Sequence, residues 1–288
     1  MTFQQYLDTK RTVDDRALNR RVLRRFEREL SALIDSTEPV RLLEIGAGIG
    51  TMVERLRSWD CLPNRVQYTV LDISSKNIRT ARSQLLASGF ERNGDNLQCK
   101  QNGRSMTIRF EVADAVEFAW KTDRRWDALV GHAVADLFDL ESALPAFCSV
   151  LDSGGLCYFP ITFDGGTMFD PAHELDERVA ELYHRHIDDG EGTSRAGRKL
   201  LAEFRRREAE LLAVGSSDWV VYPENGSYPA DEGIFLQHIL GMIGSSLDGH
   251  SEIDADAFSD WLGTRHRQVG GGELTYIAHQ FDVLARVV

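Results

Sequence analysis

The segment Leu42-Leu43-Glu44-Ile45-Gly46-Ala47-Gly48-Ile49-Gly50 joins an apolar run to a loop of alternating glycines. The run is short, apolar and bounded by glycine, which predicts a parallel strand covered on both faces. Gly46 and Gly48 lack a Cβ, so the turn that follows can take left-handed angles and offer bare backbone to a ligand. A strand, a tight turn and a helix in this order point to an open α/β sheet with a nucleotide-type ligand.

Dinucleotide-binding chains use G-x-G-x-x-G with a pyrophosphate at the helix N-terminus. Counted from Gly46, the last glycine of that pattern falls at Thr51, and Gly50 comes one residue early. Glu44 also stands before the loop, where it suits a cationic group better than a phosphate. Both departures point away from NAD. Further apolar strands follow: Tyr68-Thr69-Val70-Leu71-Asp72 and Ile108-Arg109-Phe110-Glu111-Val112-Ala113-Asp114-Ala115 each lead into an acid. Trp126-Asp127-Ala128-Leu129-Val130-Gly131-His132 and Gly155-Leu156-Cys157-Tyr158-Phe159-Pro160-Ile161 read as the fourth and fifth strands.

In this order the segments resemble the class I S-adenosylmethionine-dependent methyltransferases, whose first motif is an acid-x-Gly-x-Gly-x-Gly loop. The resemblance spans residues from about 40 to about 163, with a return at the C-terminus. It implies an α/β fold with a seven-stranded, mostly parallel Rossmann-like sheet in the order 3-2-1-4-5-7-6 and helical cap insertions. It implies S-adenosyl-L-methionine as cofactor and S-adenosyl-L-homocysteine as product. By the same resemblance Glu44, Gly46, Ala47 and Gly48 hold the methionine and ribose side. Asp72 and Ile73 meet the ribose and adenine, and Asp114 and Ala115 meet the adenine. Both oxygens of the Asp72 carboxylate can accept ribose hydroxyl protons. His132 falls beside the methyl group, and lining the pocket is expected of it before a role as base.

The chain has 288 residues, 42% of them hydrophobic, enough for one large core with a cap. The expected organisation is an N-terminal helical lid over residues 1–38 and a methyltransferase domain over 39–288, with cap segments at about 164–192 and 224–272. No run approaches the roughly 20 apolar residues of a membrane span, so a soluble cytoplasmic protein, monomer or homodimer, is expected. Cys61, Cys99, Cys148 and Cys157 show no C-x-x-C spacing and read as free thiols. A net charge of −12 argues against a large nucleic-acid surface. Arg16, Arg20, Arg21, Arg24, Arg25 and Arg28 nevertheless crowd one stretch, read as a solvated helix face interlaced with Glu27 and Glu29.

Asp14-Asp15 is expected to cap a helix over residues 16–34, on the spacing of Leu18, Val22, Phe26, Leu30 and Leu33. A hairpin is expected around Asn102-Gly103. Helical patterns cover residues 172–187, 197–214, 231–243 and 254–267, while residues 219–223 and 274–284 read as the sixth and seventh strands. The long insertions must leave and return at the carboxyl edge of the sheet, where ligands bind.

Methyl transfer from a sulfonium is an in-line displacement in which alignment supplies much of the acceleration, so catalytic residues can be few. Asp136, Thr162, Asp164, His184, His186, Tyr222 and His238 are candidates for contact with the acceptor. Catechol-type methyltransferases hold magnesium with carboxylates at the positions of Asp136 and Asp164. Solvated loop carboxylates are expected here instead, and no metal. The chain is accordingly expected to be a methyltransferase for a small or medium-sized acceptor enclosed by the cap. The alternatives are a protein or RNA methyltransferase docking through the arginine-rich helix, and a non-catalytic S-adenosylmethionine-binding regulatory protein.

Overall fold

In the computed structural model, which describes residues 2–33, 38–101 and 103–288, the apolar runs form a single ten-stranded sheet. Its strands are β1 (Val40–Ile45), β2 (Arg65–Asp72), β3 (Glu91–Asn93), β4 (Asn96–Gln101), β5 (Arg104–Val112) and β6 (Trp126–Val130). They continue with β7 (Leu151–Asp170), β8 (Glu210–Ser216), β9 (Trp219–Val221) and β10 (Thr275–Arg286). The order is β3-β4-β5-β2-β1-β6-β7-β10-β8, with β9 pairing to β10. The run β5-β2-β1-β6-β7-β10-β8 is the expected 3-2-1-4-5-7-6 arrangement. Strands β5, β2, β1, β6 and β7 are parallel, and β10 runs antiparallel between β7 and β8.

Helices α1 (Phe3–Thr9), α2 (Arg11–Ala17), α3 (Arg20–Ala32), α4 (Thr51–Ser58) and α5 (Ser75–Ala87) come first. They are followed by α6 (Ala115–Lys121), α7 (Leu140–Ser149), α8 (Asp176–Asp188), α9 (Ala196–Arg206), α10 (Glu232–Leu247) and α11 (Ala255–Gly271). The two sides of the sheet are covered separately. Leu42 packs with Val22 and Phe26 of α3, Met52 of α4 and Leu85 of α5. Its neighbours Leu43 and Ile45 pack with Ala119 of α6, Phe147 of α7 and Phe204 of α9. This alternation is the period-two geometry of a strand buried on both faces. A further apolar cluster joins Tyr6, Val13, Leu182, Phe235 and Trp261 from α1, α2, α8, α10 and α11. It holds the N-terminal helices against the cap. Among the described residues no helix is long and apolar enough to cross a membrane.

Some expectations are corrected. The N-terminal stretch is three helices, and Asn19 caps α3 by accepting hydrogen bonds from the Arg21 and Val22 N–H groups. Asp14 lies inside α2 and is buried. The expected end of that helix at Ile34 lies outside the described residues. The pattern over 197–214 divides into α9 and β8, with Glu208 at φ 57° turning the chain between them. Leu211 and Val214 face the α9 side while Leu212 and Ala213 face the α3 side. A strand apolar on both faces has no polar alternation to set it apart from a buried helix. Hence β8, and not residues 219–223, is the sixth strand; Val221, Val220 and Trp219 pair with Tyr276, Ile277 and Ala278 beyond its end. Strand β7 continues to Asp170, so the first cap segment begins later than residue 164. Strands β4 and β5 form the expected hairpin; Asn102 lies outside the described residues.

Candidate active site

Strand β1 delivers Gly46, Gly48 and Gly50 in left-handed conformations, at φ 58°, 56° and 81°. Space demands glycine as well at the first, where a Cβ would run into the Val134 side chain; a Cβ on Gly48 would meet only the flexible end of Leu7, at 3.0 Å. The loop is tied to β2 by Ala47 N–H to the Leu71 carbonyl at 3.0 Å and by Gly48 N–H to Asp72 Oδ2 at 2.8 Å. Asp72 Oδ1 accepts from Ser74 N–H at 2.8 Å and Asn77 Nδ2 at 3.1 Å. The Asp72 carboxylate therefore fixes both the glycine loop and the start of α5.

Above these groups, at the carboxyl ends of β1, β2, β5 and β6, lies a cavity of about 420 Å³, within the usual range for small-molecule sites. Gly46, Ala47, Gly48, Asp72, Ile73, Asp114, Ala115 and His132 all line it. Asp114 also caps α6 by accepting the Glu117 N–H at 2.8 Å. Glu44 does not line the cavity. It shares the α3 face of the sheet with Leu42 and accepts a hydrogen bond from the Tyr68 hydroxyl at 2.8 Å. Burial pushes its carboxyl up to about 8, against the lowering effects of Tyr68 and Arg55. A groove of about 450 Å³ near Arg57, Cys99 and Arg104 opens at the amino ends of β2 and β5, the edge that open α/β sheets leave unused.

The N-terminal helices close the cavity. Phe3, Leu7 and Lys10, spaced about one helical turn apart, line it. Polar ties hold them down: Gln4 Nε2 donates to Asn77 Oδ1 at 2.6 Å, Arg11 pairs with Glu54 at 2.7 Å and Arg55 with Asp15 at 2.6 Å. Asp14 lies at the centre. Its Oδ1 accepts from Trp219 Nε1 at 3.0 Å, while Oδ2 stands 3.4 Å from His132 Nε2 and 3.6 Å from Lys10 Nζ. Burial, reinforced by Arg55 and Lys10, holds the His132 imidazole well below its ordinary value, so it is neutral near pH 7.

Backbone strain collects beside His132. Ala133 has φ 50° and Ile161 φ 55°, conformations that are costly for side chains with a Cβ. The Ala133 N–H donates to the Pro160 carbonyl at 3.0 Å, and the Ile161 N–H donates to Asp282 Oδ1 at 2.9 Å. The two strained turns, at the ends of β6 and within β7, brace one another.

The acceptor candidates do not form one group. Asp136 precedes the cavity-lining Leu137, and although the residue is only half-buried, its carboxyl lies deep enough that burial raises its affinity for a proton. His238 stacks on Tyr6 with ring centroids 4.4 Å apart. Thr162 is buried and donates to the Phe159 carbonyl at 3.3 Å. Asp164 is buried, pairs with Arg198 at 2.8 Å and accepts the Arg198 N–H at 2.9 Å. It is thus neither a solvated loop carboxylate nor free for an acceptor. His184 Nε2 is engaged with Thr167 Oγ1 at 2.8 Å, and burial lowers its proton affinity. His186 and Tyr222 are exposed.

No protein-family model matches this sequence, and no curated protein matches it. Similarity appears among solved structures. A candidate methyltransferase from Bacillus halodurans is similar over 90% of this chain and 97% of its own, at 12% identity and a TM-score of 0.51. An S-adenosylmethionine-dependent methyltransferase from Thiobacillus denitrificans, crystallised with S-adenosyl-L-homocysteine, is similar over 94% of this chain and 93% of its own, at 15% identity and a TM-score of 0.46. With the strand order and the first of these similarities, the chain has the Rossmann-like fold of the class I S-adenosylmethionine-dependent methyltransferases.

Proposed function

We propose that this protein is an S-adenosylmethionine-dependent methyltransferase acting on a small or medium-sized acceptor. The observation that carries this reading is the meeting of the glycine loop, Asp72, Asp114 and His132 around one cavity. The loop fits the cofactor because Gly46 and Gly48 line the cavity without side chains, leaving bare backbone for a ligand to lie against. Gly46, Ala47 and Gly48 would hold the methionine and ribose side, Asp72 and Ile73 the ribose and adenine, and Asp114 and Ala115 the adenine. When bound, the cofactor supplies an activated methyl group.

The chain's own part is to bind, orient and exclude water. Phe3 and Leu7 put apolar side chains over the cavity, and the Arg11–Glu54 and Asp15–Arg55 pairs hold them in place. His132 is neutral and stands close to Asp14, which suits a wall of the cavity. In this reading residues 1–38 act as the lid, and the segments at about 164–192 and 224–272, the first starting after β7, form the acceptor cap. A cytoplasmic setting accords with the free cysteines.

A small acceptor is favoured over macromolecular docking by the state of α3. Arg20 stacks on Trp59 at 3.7 Å, and Arg25 pairs with Glu29 at 2.5 Å, so these arginines are engaged within the chain. The test is calorimetric titration with S-adenosyl-L-homocysteine, then incubation with methyl-labelled cofactor and fractionated cell extract. Saturable binding and label in a low-molecular-mass product support the reading. Binding without turnover on any fraction would leave a regulatory protein, and absence of binding would end the cofactor assignment.

A further inference from the structure

Lys10 stands where the first two lid helices meet, closing α1 and opening α2. It lines the cavity, although only 6% of the residue is exposed. Its ion pair, with Asp14 Oδ2 at 3.6 Å, is too long for a hydrogen bond. Asp14 has other partners, Trp219 Nε1 at 3.0 Å on Oδ1 and Arg55 at 4.0 Å from Oδ2. The Lys10 ammonium also faces the Trp219 ring, 5.4 Å from its centroid. Among the described residues it makes no hydrogen bond with any of its three N–H donors. Buried polar groups are nearly always paired, and an enclosed ammonium calls for an anion.

The sheet fixes where along the cavity this ammonium lies. The strand ends that build the cavity stand in the order β5, β2, β1, β6. They present Asp114, Asp72, the glycine loop and His132 in turn. With strands about 4.8 Å apart, that row is roughly 14 Å long. Lys10 Nζ and His132 Nε2 both approach Asp14 Oδ2, at 3.6 Å and 3.4 Å. The ammonium thus belongs to the β6 end, with Asp72 and Asp114 toward the other.

Charge is spread unevenly along this lining. Asp72, Asp114 and Glu191 are acids, and His132 is neutral. Among the described residues that line the cavity, Lys10 is the one lysine or arginine. The proposed cofactor is uneven too: its adenosine is uncharged, and its one anionic group is the carboxylate of the methionine tail. Adenine at Asp114 and ribose at Asp72 send that tail past the glycine loop toward β6, the end that holds Lys10.

We propose that Lys10 binds the carboxylate of the cofactor's methionine tail, so that the lid itself distinguishes the intact cofactor from adenosine derivatives that lack this group. This rests on the cavity being the cofactor site. The ammonium donates charge-assisted hydrogen bonds to the carboxylate, while Asp14, which is buried and does not line the cavity, steadies it from within the protein. The contact also reaches both lid helices. The Lys10 N–H donates to the Tyr6 carbonyl at 3.3 Å, and the Lys10 carbonyl accepts the Asp14 N–H at 2.9 Å. A ligand that carries the carboxylate therefore holds α1 and α2 down more firmly than one that does not.

The experiment titrates the wild type and Lys10→Met calorimetrically with three ligands. These are S-adenosyl-L-homocysteine, its decarboxylated counterpart S-adenosyl-3-thiopropylamine, and 5′-methylthioadenosine, which lacks the whole amino-acid tail. Lys10→Met should weaken S-adenosyl-L-homocysteine binding by roughly ten- to a hundredfold, the loss of a hydrogen bond between charged groups. Affinity for the two ligands without a carboxylate should change little. In parallel, S-adenosyl-L-homocysteine should slow amide hydrogen exchange over α1 and α2 of the wild type more than 5′-methylthioadenosine does; this measurement needs no variant and stands if Lys10→Met fails to fold. Unchanged S-adenosyl-L-homocysteine affinity in the folded variant, an equal loss for all three ligands, or equal protection of α1 and α2 by both ligands would overturn the assignment of Lys10. Failure of all three ligands to bind the wild type would overturn the cofactor reading and the assignment with it.

Discussion

Asp72 Oδ2 accepts the Gly48 N–H at 2.8 Å, so the acid that ends β2 holds the glycine loop that ends β1. The other oxygen takes Ser74 N–H and Asn77 Nδ2. The sequence suggested that both oxygens serve the ribose. The structure gives the carboxylate an architectural duty, and in the proposed reading a ribose hydroxyl would share it.

Asp72→Asn should therefore impair binding and the loop together. An amide has one acceptor oxygen, and its NH₂ would face either Gly48 N–H or the Ser74 and Asn77 donors. S-adenosyl-L-homocysteine affinity should fall at least about tenfold, with a loss of roughly 1–3 kcal/mol in stability. Calorimetry and thermal melting on the same samples check both effects; unchanged affinity would refute the assignment.

Gly46→Ala adds a Cβ at φ 58° against the Val134 side chain. Left-handed strain costs about 1–3 kcal/mol, and the clash adds to it. Trimming the neighbour in Gly46→Ala/Val134→Ala should recover the steric part alone. A double variant no more stable than Gly46→Ala would show that the contact does not matter.

Glu44 makes stability depend on pH. Its folded-state value of about 8 lies above the ordinary 4.5, so between these values the folded chain keeps a proton that the unfolded chain has released. Its contribution is fully present below about 4.5 and is lost as pH rises toward 8. The change is on the order of a few kcal/mol. Glu44→Gln, which cannot ionise, should melt close to the wild type near pH 5 and above it near pH 8. Parallel melting curves at both pH values would contradict the burial argument.

Asp282 should be hard to replace. Its oxygens take the Ile161 N–H at 2.9 Å, the Asn19 N–H at 2.9 Å and the Tyr158 hydroxyl at 3.3 Å, linking the strained bend of β7 to the cap of α3. Burial pushes its carboxyl up to about 6 despite these donors. Asp282→Asn leaves one backbone N–H facing an NH₂ group and should cost roughly 1–3 kcal/mol. Denaturant unfolding measures this directly, and a difference under a few tenths of a kcal/mol would count against the proposed brace.

The strand ends were legible in the sequence because each is written locally: an apolar run, then Gly46 and Gly48, Asp72, or Asp114. These motifs fixed the sheet's central order and most of the cavity wall. Glu44 misled because a strand's alternation says that it faces opposite Leu43 and Ile45 without saying which side is apolar core. Residues 210–216 misled because a strand covered on both faces carries no polar rhythm, and only pairing with β10 sets it apart from α9.

What the sequence by itself determined is the glycine-loop wall of the cavity, since a turn that must take left-handed angles and an acid at a strand end depend on neighbours in the chain. The lid was decided by tertiary structure. Phe3, Leu7 and Lys10 reach the cavity from the first helices, and no local pattern relates them to the glycine loop. Their place over it exists only once α1 and α2 have packed against α8, α10 and α11.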